Sequence, residues 1–254
     1  MTLTEGRHRY RGLYQVLSFN WPYYLAALAM ISAGTAVLCL VSLPFWLAVT
    51  ISGMTGLALF FSAMSLFVAH LVYDLSSAFT GEWLVRGLPA LPKSWVNIHS
   101  GLDEATSMLE ALFPGRGRAV LDLYDPRETS EPSITRAREA CRSPYPAQRA
   151  RPEALPVPEG CCDLAVLAFA AHEVRDPAKR EALFKELFRI VRPGGSVVLA
   201  EHCRDAATAA AFGPNVLHFF PKREWLRVAQ VAGFELARTA PLTPFATALF
   251  WRKP

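Results

Sequence analysis

His172, His218, Glu173 and Glu201 are the side chains best equipped for acid–base work in this 254-residue chain. An unperturbed imidazole titrates near pH 6.5, so either histidine can accept a proton at neutral pH, and a neighbouring carboxylate can orient the ring. Each histidine also has a plain use: His172 as a structural or substrate contact, and His218, between Leu217 and Phe219, as packing. A divalent metal is a competing use, since His99, His172, His202 and His218 with Glu173 and Glu201 offer the imidazoles and carboxylates that such ions take. No H-E-x-x-H or comparable local spacing supports it, and no metal is expected.

These groups need a frame. Leu164 to Ala168 is an apolar run of strand length, and Ala182, Leu183, Leu187, Ile190 and Val191 follow at helical spacing. Pro193-Gly194-Gly195 then breaks the helix before a second apolar run, Ser196 to Ala200. A strand, a crossover helix and a strand make a parallel sheet, whose ligand crevice lies beyond the carboxyl ends of its strands. That rule places Ala168, Phe169, His172 and Glu201 where chemistry occurs.

The stretch Asp163-Leu164-Ala165-Val166, then His172-Glu173-Val174 with Asp176-Pro177, then Leu187 to Gly195 resembles the fourth-strand to fifth-strand region of class I S-adenosylmethionine-dependent methyltransferases. Within that family it is similar to the branch that methylates quinones, sterols and small molecules. The resemblance implies an α/β, Rossmann-like sheet of seven mostly parallel strands with an antiparallel C-terminal hairpin. It also implies S-adenosylmethionine as cofactor, and for the base that removes a proton from the methyl acceptor the titration range of imidazole makes His172 and His218 the candidates. Laid on the family without gaps, Val96-Asn97-Ile98 ends the first strand and His99-Ser100-Gly101-Leu102-Asp103 takes the place of the glycine loop. Glu104 to Leu112 then becomes the first helix, Ala119 to Asp122 the second strand, and Glu153 to Pro156 the region of the third. Asn97, His99, Ser100, Gly101, Glu104, Asp122, Glu153, Ala168 and Phe169 are thereby expected at the cofactor. Asp122 falls about 20 residues past the loop, where the ribose acid belongs, and Asp125 is its rival. An alternative register, with "AVLDLYDP" as the first strand, lacks a glycine after the acid and leaves too few residues before Glu153.

The loop departs from the family. Only Gly101 remains of the glycines that let backbone approach a ligand; His99 and Asp103 replace two others, and Arg151 stands where an acid would meet the adenine amino group. A catalytically silent relative, binding another ligand or a protein at the membrane, is therefore the alternative to an enzyme, and a divergent enzyme using a metal or S-adenosylmethionine differently is a further one.

The front of the chain reads differently. The protein is 52% hydrophobic, and no Asp, Glu, Lys or Arg occurs from Pro22 to Tyr73. Tyr23 to Ser42 is long enough, at about 1.5 Å per residue, to cross a hydrocarbon core of roughly 30 Å, and Trp46 to Val72 supplies a second span. Arg7, Arg9 and Arg11 precede the first span, so both ends of this hairpin are expected in the cytoplasm, with Tyr23, Tyr24, Trp46 and Tyr73 as aromatic anchors. His70 is read as interfacial. The small residues Ser52 and Gly56, with Ser62 and Ser65, offer a close-packing face between the two helices or to another copy, hence a possible homo-oligomer. The resulting division is a cytoplasmic segment 1–21, transmembrane helices 22–74, a linker 75–90 and a methyltransferase-like domain 91–254. A formal charge of +4 with scattered basic residues argues against nucleic acid, and five cysteines without metal spacing read as reduced structural thiols.

In the remaining chain, Ser130 is expected to cap a helix running through Ala140. The segment from Ala206 to Phe220 is expected over the mouth of the site, Pro221 to Gly233 as a helix, and Phe234–Thr239 with Phe245–Trp251 as the closing hairpin. A lipophilic acceptor delivered from the bilayer completes the expectation.

Overall fold

The computed structural model describes residues 10–128, 132–141 and 143–254; Arg7, Arg9 and the expected cap Ser130 lie outside them. The chain opens with α1 (Arg11–Phe19), α2 (Trp21–Leu40) and α3 (Phe45–Ala69), which ends in a π-helical turn at His70–Leu75. Pro22 lies in the first turn of α2 and Pro44 just before α3, positions where the missing N–H is not needed. Both helices are long and apolar enough to cross a membrane. A core helix of a soluble protein is mostly buried, whereas none of the residues of α2 is buried, and at the turn between the helices Leu40 and Phe45 are 83% and 84% exposed.

The α/β part follows as α4 (Glu82–Gly87), β1 (Trp95–His99), α5 (Thr106–Leu112), β2 (Gly117–Asp122), α6 (Pro132–Ala140), β3 (Gln148–Arg149) and β4 (Cys162–Ala168). It ends with α7 (Pro177–Ile190), β5 (Val191–Glu201), α8 (Ala206–Phe212), α9 (Lys222–Ala232), β6 (Glu235–Thr243) and β7 (Ala246–Arg252). The strands form one sheet of order β3-β2-β1-β4-β5-β7-β6, parallel except for β7, which is antiparallel to both β5 and β6. Strand alternation builds two layers. Ala165 and Leu167 of β4 face Leu183, Phe184 and Leu187 of α7 with Trp225 and Val228 of α9, while Leu164 and Val166 face Leu84, Leu109, Phe113 and Phe250. The chain order reverses between β1 and β4, so the crevice opens at their carboxyl ends. His99, Asp122, Ala168 and Glu201 each end a strand there.

The helices that frame the crevice are fixed by their sequence signals. Asp176 caps α7, accepting from the backbone N–H of Ala178 at 2.7 Å and of Lys179 at 3.1 Å, with Pro177 in the first turn. Asp205 and Thr208 form a capping box on α8. Gly233, at φ +99°, ends α9 in the left-handed conformation. Arg180 of α7 is buried, and donates to Glu224 of α9 at 3.0 Å and to the carbonyls of Val174 and Arg175 at 2.8 and 2.7 Å, so its charge is paired and its donors are used.

Several expectations are corrected. The third strand is Gln148–Arg149, paired with Leu121 and Asp122, rather than Glu153–Pro156. Pro152 lacks the ladder donor, and the Leu155 N–H is taken by Glu186 of α7 at 2.7 Å. The linker is not a loose connector, because Leu84 is fully buried and Trp83 stands edge-on to Phe250, with ring centroids 6.0 Å apart. Close approach of α2 and α3 occurs at Gly34, where an added Cβ would lie 2.2 Å from Thr55 Oγ1, and not at Gly56, where it would meet nothing within 4 Å. Tyr24 and Ser65 are joined across the same seam by a 2.9 Å hydrogen bond. Helix α1 was not foreseen. Its free N–H groups at Gly12 and Leu13 are capped from 62 and 61 residues away by Asp74, at 2.7 and 3.1 Å. His70 holds the same carboxylate at 2.8 Å and stacks on Tyr10, which gives it a structural partner rather than a merely interfacial place.

Candidate active site

The apolar hairpin ends on the rim of the crevice. Val68 and Val72 are buried against Ala211 of α8, with Tyr73, Phe79, Phe169, Phe212 and Phe245 around them. Tyr73 stacks on Phe79 at 5.1 Å, and Phe79 lies 5.7 Å from Phe169, whose ring is 4.9 Å from His202. Phe61 of α3 packs on Gly213, at the start of the 3₁₀ segment Gly213–His218. Phe169 follows β4 with φ +50°, a left-handed conformation that costs a bulky residue on the order of 1–3 kcal/mol and that aims its ring at this aromatic cluster.

Glu104 stands behind the cluster, beside the Tyr73 hydroxyl. Burial pushes its carboxyl up to about 8; Glu201 and Asp103 act in the same direction, and His172 and Tyr73 oppose them. Sequence reading placed Glu104 at the cofactor and Tyr73 at the bilayer surface, and missed that the fold joins them. The available signal was slight: Tyr73 is the last residue before Asp74 ends the uncharged stretch.

At the β5 end, Glu201 accepts the backbone N–H groups of Ala171 (2.9 Å) and His172 (3.2 Å) on one oxygen and His172 Nδ1–H (2.7 Å) on the other. His172 Nε2 then faces Glu173 Oε1 at 3.3 Å, and His218 Nε2 lies 3.3 Å from that same oxygen. Burial alone would lower His172, but Glu201 and Glu173 reverse this and raise it to about 10. Glu173 is held below the ordinary carboxylate range, because the hydrogen bonds and charges of His172 and His218 outweigh its burial. His172 therefore carries positive charge at neutral pH and does not act as the proton acceptor the sequence reading allowed. Its ring is a fixed part of the site, and Glu173 and Glu201 do orient the imidazoles as expected. His202 lies apart: its Nδ1 is 2.7 Å from the Phe245 carbonyl, and burial lowers it to about 4.

The loop after β1 is held by its own substitutions. Asn97 Nδ2 donates to Asp103 at 3.0 Å and to Thr106 at 2.7 Å, and Asp103 accepts the Thr106 N–H at 3.0 Å, so the acid that replaces a glycine organises the start of α5. Asp122 accepts from Gly101 N–H at 2.9 Å and Tyr124 N–H at 3.0 Å and pairs with Arg138. Gly101 has φ +89°, and a Cβ there would lie 2.7 Å from Ile134 Cγ2. His99, which burial lowers from its ordinary value, is 3.6 Å from Asp122. Its two ring nitrogens, with Asn97 Oδ1, have no hydrogen-bond partner among the described residues.

Beyond these strand ends lies a cavity of about 760 Å³, lined by Ser100, Tyr124, Asp125, Arg149, Arg151, Glu153, Glu173 and Lys179 among others. Of the residues expected at the cofactor, Ser100 and Glu153 line it. Gly101 and Asp122 do not line it but are joined at 2.9 Å next to lining residues Ser100 and Leu123, and Asp125 rather than Asp122 lines the cavity. Ala168 ends β4 at the crevice, and Phe169 just past it packs beside the hairpin. The volume suits a nucleoside-sized ligand. Asp125, Glu153 and Glu173 bring carboxylates to the cavity, with Arg149 3.8 Å from Asp125 and Lys179 3.9 Å from Glu153, while the unpartnered atoms of His99 and Asn97 lie behind its wall on β1. By these tests the residues fit S-adenosylmethionine.

A family model described as a methyltransferase domain matches residues 124–199, from just past β2 into β5. Among solved structures, a Pyrococcus horikoshii protein is 14% identical, with TM-score 0.53 over 70% of this chain and 89% of that one. A Thermotoga maritima S-adenosylmethionine-dependent methyltransferase, described as a possible histamine N-methyltransferase, is 17% identical, with TM-score 0.50 over 76% and 100%. The complex of a Haloferax volcanii putative methyltransferase with its Trm112 activator gives 14% identity and TM-score 0.53 over 77% and 96%. These likenesses show the fold. No curated protein matches the chain.

Proposed function

We propose that this chain, a class I S-adenosylmethionine-dependent methyltransferase by its sheet order and its matched domain, methylates a lipophilic small molecule such as a quinone, a polyketide or a lipid that reaches it from a bilayer. One observation carries the reading: the inner end of the apolar hairpin packs on α8 and Phe169, against the rim where Glu104, His172 and Glu201 converge. An acceptor leaving the hydrocarbon between α3 and α8 meets an aromatic cluster at once. The hairpin crosses the membrane twice and leaves the α/β part in the cytoplasm, with α1 braced along the surface by Asp74.

The cofactor supplies a methyl group already activated on a sulfonium. Its adenosine half lies in the cavity past β1 to β3, against Ser100, Asp125 and Glu153, with Gly101 and Asp122 joined next to the lining residues and the unpartnered atoms of Asn97 and His99 behind the wall. Ala168 and Phe169 flank the transfer point. What remains for the chain is to hold the acceptor in line and take up its proton. Glu104 performs the second task, since a carboxyl titrating near 8 can both accept and release a proton close to neutral pH. Tyr73 of the hairpin stands beside it. His172, locked by Glu201, shapes the floor, and His218, on the segment over the mouth, faces the acceptor.

The test is methyl transfer from S-adenosylmethionine labelled in its methyl group, with detergent-solubilised chain and a total lipid extract of the host membrane. Label is expected in the organic phase and dependent on the chain. Label confined to water-soluble products would contradict the lipophilic acceptor.

A further inference from the structure

We infer that His172, Glu173 and His218 bind one divalent first-row transition ion at the edge of the cavity. The three side chains bring their ligand atoms within 4.8 Å of one another, and all are largely enclosed, at 10%, 4% and 20% side-chain exposure. Two distances carry the argument. Charge-assisted hydrogen bonds run at about 2.7–2.9 Å. His172 Nδ1 to Glu201 obeys this at 2.7 Å, whereas His172 Nε2 and His218 Nε2 both stand 3.3 Å from the single oxygen Glu173 Oε1. A spacing of about 3.3 Å is the ligand-to-ligand edge of a tetrahedral ion with bonds of about 2.0–2.1 Å. The other oxygen, Glu173 Oε2, is buried with no hydrogen-bond partner among the described residues.

The surroundings are those of a ligand set. Glu201, itself fixed by two backbone N–H groups, holds His172 Nδ1–H, and the ion takes the place of the proton that Nε2 otherwise carries toward Glu173, releasing it to solvent. One guanidinium ties the two histidines together, since Arg175 Nη1 donates to the carbonyl of His172 at 3.1 Å and to that of His218 at 2.5 Å. Glu173 and Glu201 concentrate negative charge where the ion would sit. Glu173 also lines the cavity, so the site borders that space, and three protein ligands leave a tetrahedral ion one position for water or substrate. His99 and His202 take no part, the first lying beside Asp122 and the second on the Phe245 carbonyl. Ion binding stands on this geometry alone. Its chemical use rests on the methyl-transfer reading: a hydroxyl of the acceptor bound to the ion gives up its proton more readily, and Glu104 receives it.

The full-length chain in detergent, freed of its affinity tag and stripped with chelator, is titrated with Co²⁺ alone and read by visible d–d absorption, then competed with Zn²⁺. The expected result is one equivalent bound with a tetrahedral spectrum that Zn²⁺ abolishes. Glu173→Gln and His218→Gln, each checked for a native thermal transition, weaken binding by about 100-fold, and Glu201→Gln weakens it by roughly 10- to 100-fold. No spectrum at one equivalent, or unchanged titrations in both ligand variants, overturns the site. Calorimetry with S-adenosylmethionine on the same samples separates the two readings: cobalt bound without cofactor binding preserves the site and removes the methyl-transfer reading, and the reverse removes only the site.

Discussion

Glu104→Gln lowers methyl transfer by about 10²–10⁴-fold, the range lost with a general base, and makes the folded chain more stable in alkaline solution. The native enzyme's rate should rise about tenfold per pH unit up to about 8, where Glu104 ionises, and then level off; the variant should be slow and nearly flat. The stability effect has a definite sign. Below the ordinary carboxylate value of 4.5, folded and unfolded chains both hold the proton, and the residue has no cost. Between that value and about 8 the unfolded chain releases a proton that the fold retains, so stability falls as pH rises. Above it the full penalty, on the order of 5 kcal/mol, is present. Gln keeps the size and polarity of the side chain without the charge. Thermal unfolding in detergent should therefore separate variant from native chain at pH 9 and bring them together at pH 4. A native-like rate for the variant would remove Glu104 from the chemistry.

Val72→Asp separates the hairpin from the catalytic half. Val72 is fully buried at the seam with Ala211, Phe169 and Phe212, and a carboxylate there has no counter-charge in that apolar cluster. Burying it costs about 4 kcal/mol or more, while undocking the hairpin relieves the cost. Undocking withdraws Tyr73 from Glu104 and Phe61 from Gly213. The expected outcome is new protease cleavage between about residues 70 and 80 and loss of most methyl transfer. The sheet, whose core is Leu183, Phe184 and Trp225, keeps its own unfolding transition. Full activity in the undocked variant would show that the hairpin is an anchor only.

The parts of this fold that were legible in the sequence are those set by local pattern. Leu164 to Ala168, the α7 stripe and Pro193-Gly194-Gly195 specify a strand, a crossover and a strand within 40 residues, and the structure has them there. The uncharged stretch specified two long helices in the same way. Single long-range contacts were not legible. Nothing near Gly12 says that Asp74 will cap it, and nothing near Glu104 says that Tyr73 will reach it. The substitutions in the loop looked like damage because only the missing glycines were visible. In the fold, Asp103 accepts the backbone N–H groups of Ala105 and Thr106 at the start of α5 and Asp122 fastens Gly101, so the altered residues build a different support for the loop. His172 was found as a strand-end histidine, but its charge depends on Glu201, which lies 29 residues further along the chain.

The most direct measurement is calorimetry of S-adenosylmethionine binding to the full-length chain in lipid nanodiscs. One molecule should bind per chain, and Gly101→Val should abolish binding, because a side chain at φ +89° meets Ile134 and distorts the loop that carries the lining residue Ser100. No heat from the native chain at millimolar cofactor would contradict a methyltransferase and leave a silent relative that binds something else.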